Sequence, residues 1–187
     1  MRVIRGSARG RQLKPVPGEI TRPVTDRVKE AFFNILGADI KDASLLDLFA
    51  GTGSVGIEAL SCGAGYVRFV DIHRAAVETV RANLAHTNLA RNAEVVQRNA
   101  IIMLTTTPDR TFDYIYVAPP QYKELWKEAL LGIDAKPGWL SADGWVVVQI
   151  NPKEYEEMPL QNLEEFDQRK YGDTLLVFYQ RAEPDSE

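Results

Sequence analysis

The chain has 187 residues, 45% hydrophobic and 26% charged, with a formal net charge of −4, which fits one globular unit with a sizeable core. Its single cysteine, Cys62, excludes an internal disulfide, and with only two histidines there is no zinc-ligand spacing. No window reaches the roughly 18 consecutive apolar residues of a membrane span, and the arginine-bearing first residues lack the hydrophobic stretch of a secretory leader, so a reducing, cytoplasmic setting is expected.

The charge is unevenly spread. Residues 1–18 carry Arg2, Arg5, Arg9, Arg11 and Lys14 and no acid, whereas residues 151–187 hold ten acids against four bases. A basic end of this kind can meet phosphates while the rest of the chain repels them; the competing reading is a solvated N-terminus. The opening MRVIRGSARGRQLKPVPG alternates short apolar pieces with glycine and arginine. It predicts a small hairpin or extended arm over residues 1–20, with arginines outward that can each offer two N–H groups to phosphate. The segment Pro15 to Gly18 is the one plausible hinge.

Next comes TRPVTDRVKEAFFNIL, a helix with Pro23 near its start and Thr25 or Thr21 as cap. Val28, Ala31, Phe32, Ile35 and Leu36 fall at helical spacing and predict one buried face. Arg22 and Arg27 lie off it, available for a salt bridge or a ligand.

From residue 44 strand and helix alternate: strands near 44–49, 66–70, 93–97, 112–117 and 144–150, helices near 54–62, 73–86, 99–106 and 122–131. Val77, Val80 and Leu84 stripe the second of these helices. Such alternation builds a parallel α/β sheet with helices on both faces, and ligands then bind beyond the carboxyl ends of its strands, where Asp47, Asp71, Asn99 and Ala118 fall. Two further strands, near 163–169 and 174–180, are joined by YGD and therefore antiparallel. The residues from 182 to 187 read as a disordered tail after a domain spanning 21–181.

The segment Asp47 to Gly56, DLFAGTGSVG, organises the rest. It follows an apolar strand and leads into a helix, so its glycines form a sharp turn that lets backbone approach a ligand. Gly51, Gly53 and Gly56 satisfy GxGxxG, a weak signal alone. Asp71 strengthens it: it ends the next apolar run 20 residues after Gly51, where a carboxylate can accept from two ribose hydroxyls. Asp47, four residues before Gly51, would repel the pyrophosphate of a dinucleotide and suits a cationic ligand better. DLFAGTG thus resembles the first motif of class I S-adenosylmethionine-dependent methyltransferases, with Asp71 in the ribose-binding place of their second.

Together, GRQL in the arm, TRPVTDRVKEAFFNIL, DLFAGTGSVGIEALSCGA, FVDIHRAAV, VAPPQY and YGDTLLVFY resemble the bacterial methyltransferases that modify a guanine 2-amino group in 16S ribosomal RNA. The resemblance implies a Rossmann-like, seven-stranded, mostly parallel sheet with the last strand antiparallel, and S-adenosylmethionine as donor with S-adenosylhomocysteine as product. It implies cofactor contacts at Asp47, Phe49, Ala50, Gly51, Thr52, Gly53, Asp71, Ile72, Asn99 and Ala100. RNA contacts are implied at Arg5, Arg9, Arg11, Arg22 and Arg27. The implied partner is small-subunit ribosomal RNA or an assembling small subunit, met by a monomer with no metal and no membrane contact.

Three pocket positions depart from that family. The acid of its acid-Pro-Pro-aromatic tetrapeptide is replaced in Ala118, Pro119, Pro120, Gln121; Asn99 stands for an Asp, and Gln149 for a Glu. Asn99 keeps an acceptor and a donor for the adenine edge. Ala118 keeps neither; Pro119 and Pro120 still shape the loop, whose backbone carbonyls, that of Ala118 included, are available to the target amine, with Tyr122 as stacking wall or, equally, as an ordinary first-turn helix residue. Cys62 reads as a helix-end residue, and His73 and His86 as surface or helix-end groups. The main alternative is a catalytically weak or inactive relative acting as an RNA-binding or ribosome-assembly factor; a nicotinamide-dependent oxidoreductase is the third reading.

Overall fold

The computed structural model describes residues 1–18 and 24–183. Arg22, Thr21 and Pro23 at the predicted helix entry, and positions 184–187 of the predicted tail, lie outside the described residues. Seven strands form one sheet in the order β3-β2-β1-β4-β5-β7-β6, with ranges given below. The chain divides into two compact units, Met1–Ala100 and Ile101–Glu187.

In the first unit the arm is a hairpin: an antiparallel bridge joins Arg2 to Gln12, Val3 donates to the Arg11 carbonyl at 2.9 Å, and Gly10 donates to that of Val3 at 2.8 Å. Helix α1 (Asp26–Leu36) is capped by Thr25, whose hydroxyl accepts from the Val28 N–H at 3.3 Å. Its buried face is Val28, Lys29, Phe32, Phe33 and Leu36, which corrects the predicted one. Ala31 and Ile35 are only half-buried. The face is rotated because Phe33 stacks edge-on against Phe32, centroids 5.1 Å apart, and because Lys29 is drawn inward by a partner described below.

Strand β1 (Ser44–Asp47) is buried from Leu45 onward, and stops two residues earlier than predicted because Leu48 and Phe49 already turn. Helix α2 (Ser54–Ser61) is buried along its whole length. It lies against strand β2 (Tyr66–Asp71) so closely that a Cβ on Gly56 would sit 2.3 Å from the Phe69 ring. Helix α3 (Arg74–Thr87) buries Val77, Val80 and Leu84 as its stripe predicts. Strand β3 (Ala93–Gln97) pairs in parallel with β2, which pairs in parallel with β1. Helix α4 (Ala100–Thr105) follows.

In the second unit, strand β4 (Phe112–Val117) pairs in parallel with strand β5 (Leu140–Ile150). The latter begins before its predicted start because a register shift between Phe112 and Tyr114 absorbs the extra residues. Helix α5 (Leu125–Ala135) starts later than predicted, because Tyr122 and Glu124 hold left-handed backbone at φ 60° and 54°. Strands β6 (Leu163–Tyr171) and β7 (Thr174–Arg181) form the expected antiparallel hairpin. Strand β7 inserts beside β5, also antiparallel, so it alone runs against the sheet. Among the described residues no helix is long and apolar enough to cross a membrane.

Candidate functional site

Strand β1 delivers Asp47 to the start of the glycine loop. The carboxylate is buried, 2% exposed. Burial, reinforced by the nearby Asp71 charge, pushes its pKa up to about 7, and a hydrogen bond from the Gly56 N–H offsets this only in part; none of these influences is a cation. Such a group is matched to a ligand that brings its own positive charge, as an ammonium does.

The loop itself is tightly turned. Ala50 donates to the Val70 carbonyl at 3.0 Å, Gly53 donates back to that of Ala50 at 2.8 Å, and Gly51 and Gly53 take φ of 55° and 79°. A Cβ on Gly51 would meet nothing within 4 Å, so open space lies on that side of the loop. Asp71 buttresses the turn: one carboxylate oxygen accepts from Gly51 N–H at 2.9 Å, the other from His73 N–H at 2.9 Å. Each oxygen keeps a further lone pair, enough to accept from ribose hydroxyls. Ile72 beside it is 53% exposed, an uncovered apolar side chain at a strand end. Phe49 and Thr52 are half-buried, Ala50 and Ala100 buried, and Asn99 lies half-buried just before α4. The unit therefore brings an ammonium-matched acid, a backbone cradle and a hydroxyl acceptor together around one loop, and these fit an adenosyl amino-acid cofactor.

In the second unit, Ala118 and Pro119 are half-buried and Pro120 and Tyr122 exposed. Tyr122 is 65% exposed and precedes α5, so it is no first-turn helix residue. Its backbone N–H donates to Glu154 at 2.7 Å, which also accepts from Asn151 N–H at 3.1 Å. Glu154 thereby supports a left-handed conformation that a non-glycine residue adopts only at a cost. Sequence reading missed it, although its place three residues after Asn151 has the spacing of a capping box. Gln149 spends its side-chain carbonyl on the Tyr116 hydroxyl at 2.5 Å.

The arm is firmly seated within the first unit. Lys29, 1% exposed, pairs with Glu58 at 3.1 Å and donates to the Arg2 carbonyl at 2.6 Å and the Ser54 hydroxyl at 3.1 Å. Glu58 accepts from the N–H groups of Ile4 at 3.0 Å and Arg5 at 2.7 Å. Gly6 completes the fit: a Cβ there would fall 1.8 Å from the Ser61 carbonyl oxygen. Neither Lys29 nor Glu58 was singled out from the sequence; the signal was one acid in the otherwise apolar IEAL and one lysine bordering an apolar helix face.

Of the predicted RNA contacts, Arg9, Arg11 and Arg27 are exposed, Arg5 is half-buried with its guanidinium on Asn34, and Arg11 also reaches the His86 carbonyl at 3.5 Å. Cys62 caps α2, with its thiol pushed up to about 11 by burial and by Glu58, so it is no ready nucleophile. His73 and His86 are exposed at the two ends of α3. Among the described residues no group of three or more His, Cys, Asp or Glu could hold a metal ion.

A sheet of this order, with one antiparallel strand next to the edge and a glycine loop leaving the first strand between two acids, is that of a class I, Rossmann-like methyltransferase. The family model described as conserved hypothetical protein 95 matches residues 1–180, and the chain belongs to that family. It is 43% identical over 151 residues to YlbH of Bacillus subtilis, covering 80% of this chain and 82% of that one. To the ribosomal RNA small subunit methyltransferase D of Escherichia coli it is 40% identical over 152 residues, covering 80% and 74%. The solved structure of yhhF from Escherichia coli superposes with a TM-score of 0.85 at 34% identity, covering 98% of this chain and 99% of that one.

Proposed function

We propose that the protein transfers a methyl group from S-adenosylmethionine to the exocyclic 2-amino group of a guanine in small-subunit ribosomal RNA, as a cytoplasmic monomer. The observation that carries this reading is the buried, cation-seeking Asp47 at the start of the glycine loop that Asp71, from the end of β2, braces through Gly51. The names of its relatives support ribosomal RNA as the substrate.

Asp47 would hold the cofactor's ammonium, the Gly51–Gly53 backbone its amino-acid portion and Asp71 its ribose, with Ile72, Asn99 and Ala100 available to its adenine. When bound, S-adenosylmethionine supplies a methyl carbon attached to a positively charged sulfur. Pro119, Pro120 and Tyr122 hold the target guanine, flipped out of its stack at a cost of a few kcal/mol. With no acid at 118, the Ala118 backbone carbonyl accepts from the 2-amino N–H and aims its lone pair; the proton lost after transfer leaves to water. Arg5, Arg9, Arg11, Arg22 and Arg27 meet RNA phosphates.

The test is to incubate the protein and S-adenosylmethionine with small subunits and with bare ribosomal RNA that lack the modification, digest the RNA, and identify the product nucleoside by mass spectrometry. N2-methylguanosine is the expected product. A different methylated nucleoside overturns the guanine assignment, and none at all, with cofactor binding confirmed, overturns the enzyme in favour of a binding protein.

A further inference from the structure

The arm and the cofactor loop share one buried side chain. Asn83, on α3, is 0% exposed. Its amide oxygen accepts from the Lys14 N–H at 2.8 Å, and its amide nitrogen donates to the Lys14 carbonyl at 3.1 Å and to the Thr52 carbonyl at 2.9 Å. A primary amide has two N–H donors, so both are committed: one to the arm, the other to the loop residue between Gly51 and Gly53. Thr52 is held from a second side as well, since its hydroxyl lies 3.4 Å from the Met1 sulfur. Met1 is in turn fixed to the hairpin, its carbonyl accepting from Leu13 at 3.0 Å. The cofactor loop is thus gripped by the two ends of the basic hairpin, one directly and one through Asn83.

We propose that Asn83 is a positioning residue that couples the seating of the N-terminal arm to cofactor binding, so that a filled cofactor loop fixes the arm in its RNA-receiving position and bound RNA in turn tightens the cofactor. This rests on the functional reading above for its two ligands. The linkage is necessarily reciprocal: whatever factor the cofactor contributes to RNA affinity, RNA returns to cofactor affinity. Aspartate keeps the shape of Asn83 and the Lys14 N–H acceptor but sets a carboxylate against two carbonyl oxygens, and alanine removes the partner of three backbone groups at once.

The test reads the arm itself. The Lys14 amide donates to Asn83, so its hydrogen exchange, followed by NMR, reports the clamp directly. In the 187-residue protein, saturating S-adenosylhomocysteine slows exchange at Lys14 by about tenfold, the order expected of a coupling near 1.4 kcal/mol. In Asn83→Asp that slowing disappears while the cofactor analogue still binds at higher concentration. Leu84→Ala, a destabilising change in the neighbouring core stripe, lowers the melting temperature and keeps the slowing, which separates coupling from loss of stability. In parallel, S-adenosylhomocysteine tightens binding of small-subunit ribosomal RNA about fivefold in the wild type and not in Asn83→Asp. Unchanged Lys14 exchange in the wild type on cofactor binding overturns the proposal, as does cofactor-dependent slowing that survives in Asn83→Asp. If the exchange result holds but RNA affinity does not respond, the coupling to RNA is overturned and only the link between arm and cofactor loop remains. If S-adenosylhomocysteine does not bind at all, the functional reading and this proposal fall together.

Discussion

The two ends of the reaction are built differently. Around Asp47 and Thr52 the polar groups are engaged, and Asp47 and Asn83 are buried: Asp47 receives Gly56, Asp71 receives Gly51 and His73, and Thr52 gives its carbonyl to Asn83. Around Ala118 to Tyr122 the chain is half-buried or exposed, lacks an acidic side chain at its first position, and is supported by Glu154 through a single bond to Tyr122. A site for a small, invariant cofactor can be preorganised by burial. A segment that must receive one base out of a large RNA keeps its groups open, and under the proposed function this one would work through backbone and an aromatic face instead of a carboxylate.

The contrast can be broken first on the buried side. Lys29→Ala leaves Glu58 buried without its cation and releases the arm, which is expected to cost about 3–5 kcal/mol of stability, read by urea unfolding. A loss below about 1 kcal/mol, the range of exposed pairs, would show that the pair is solvated and the arm loosely held. On the open side, Tyr122→Ala should cost about 1–3 kcal/mol in RNA affinity, the value of one base stacked on an aromatic ring, with stability and S-adenosylhomocysteine affinity unchanged. An unaltered RNA dissociation constant would remove Tyr122 from the base-holding group.

Asp47 gives a sharper probe through pH. Its folded pKa, about 7, lies above the carboxylate value of 3.8, so the folded state keeps a proton that the unfolded chain has lost between these two limits. Stability of the ligand-free protein therefore falls as pH rises from about 4 to about 7 through this group. A ligand ammonium selects the ionised form, so affinity for S-adenosylhomocysteine should rise about tenfold per pH unit up to about 7 and then level off. Calorimetry on Asp47→Asn should give weaker binding without that slope; a slope that persists would assign the titration to another group. The smallest effect concerns the arm: Arg9→Ala and Arg11→Ala should each reduce the salt slope of RNA binding by about one phosphate contact. An unchanged slope would take those residues off the RNA.

Much of this was legible in the sequence because periodicity and punctuation carry it. The alternation of apolar runs with amphipathic segments located the strands and helices, and the DLFAGTG glycines located the tight turn that Asp71 braces. What was not legible depends on where charges go when buried. Lys29 reads as the polar border of α1 until Glu58, far along the chain, is known to lie beneath it, and that pairing rotates the buried face away from Ala31 and Ile35. The start of α5 was missed for a similar reason. A helical continuation through Tyr122 is locally reasonable, and only the bond from its N–H to Glu154 in a later turn favours the left-handed backbone observed. Asn83 likewise looks like one polar residue in the α3 pattern until its partners at Lys14 and Thr52 are placed.

The measurement that tests the central claim most directly is single-turnover methyl transfer to unmodified small subunits by the wild type and by Ala118→Asp, with S-adenosylhomocysteine affinity determined on the same preparations. The proposed function, with a complete cofactor loop and a backbone-driven acceptor segment, predicts measurable transfer by the wild type. It also predicts a faster rate in Ala118→Asp, approaching the 10²- to 10³-fold that one preorganised partner typically supplies, at equal cofactor affinity. Normal cofactor binding with no transfer by the wild type, restored only in Ala118→Asp, would contradict it and leave a binding protein that has kept the fold and lost the chemistry.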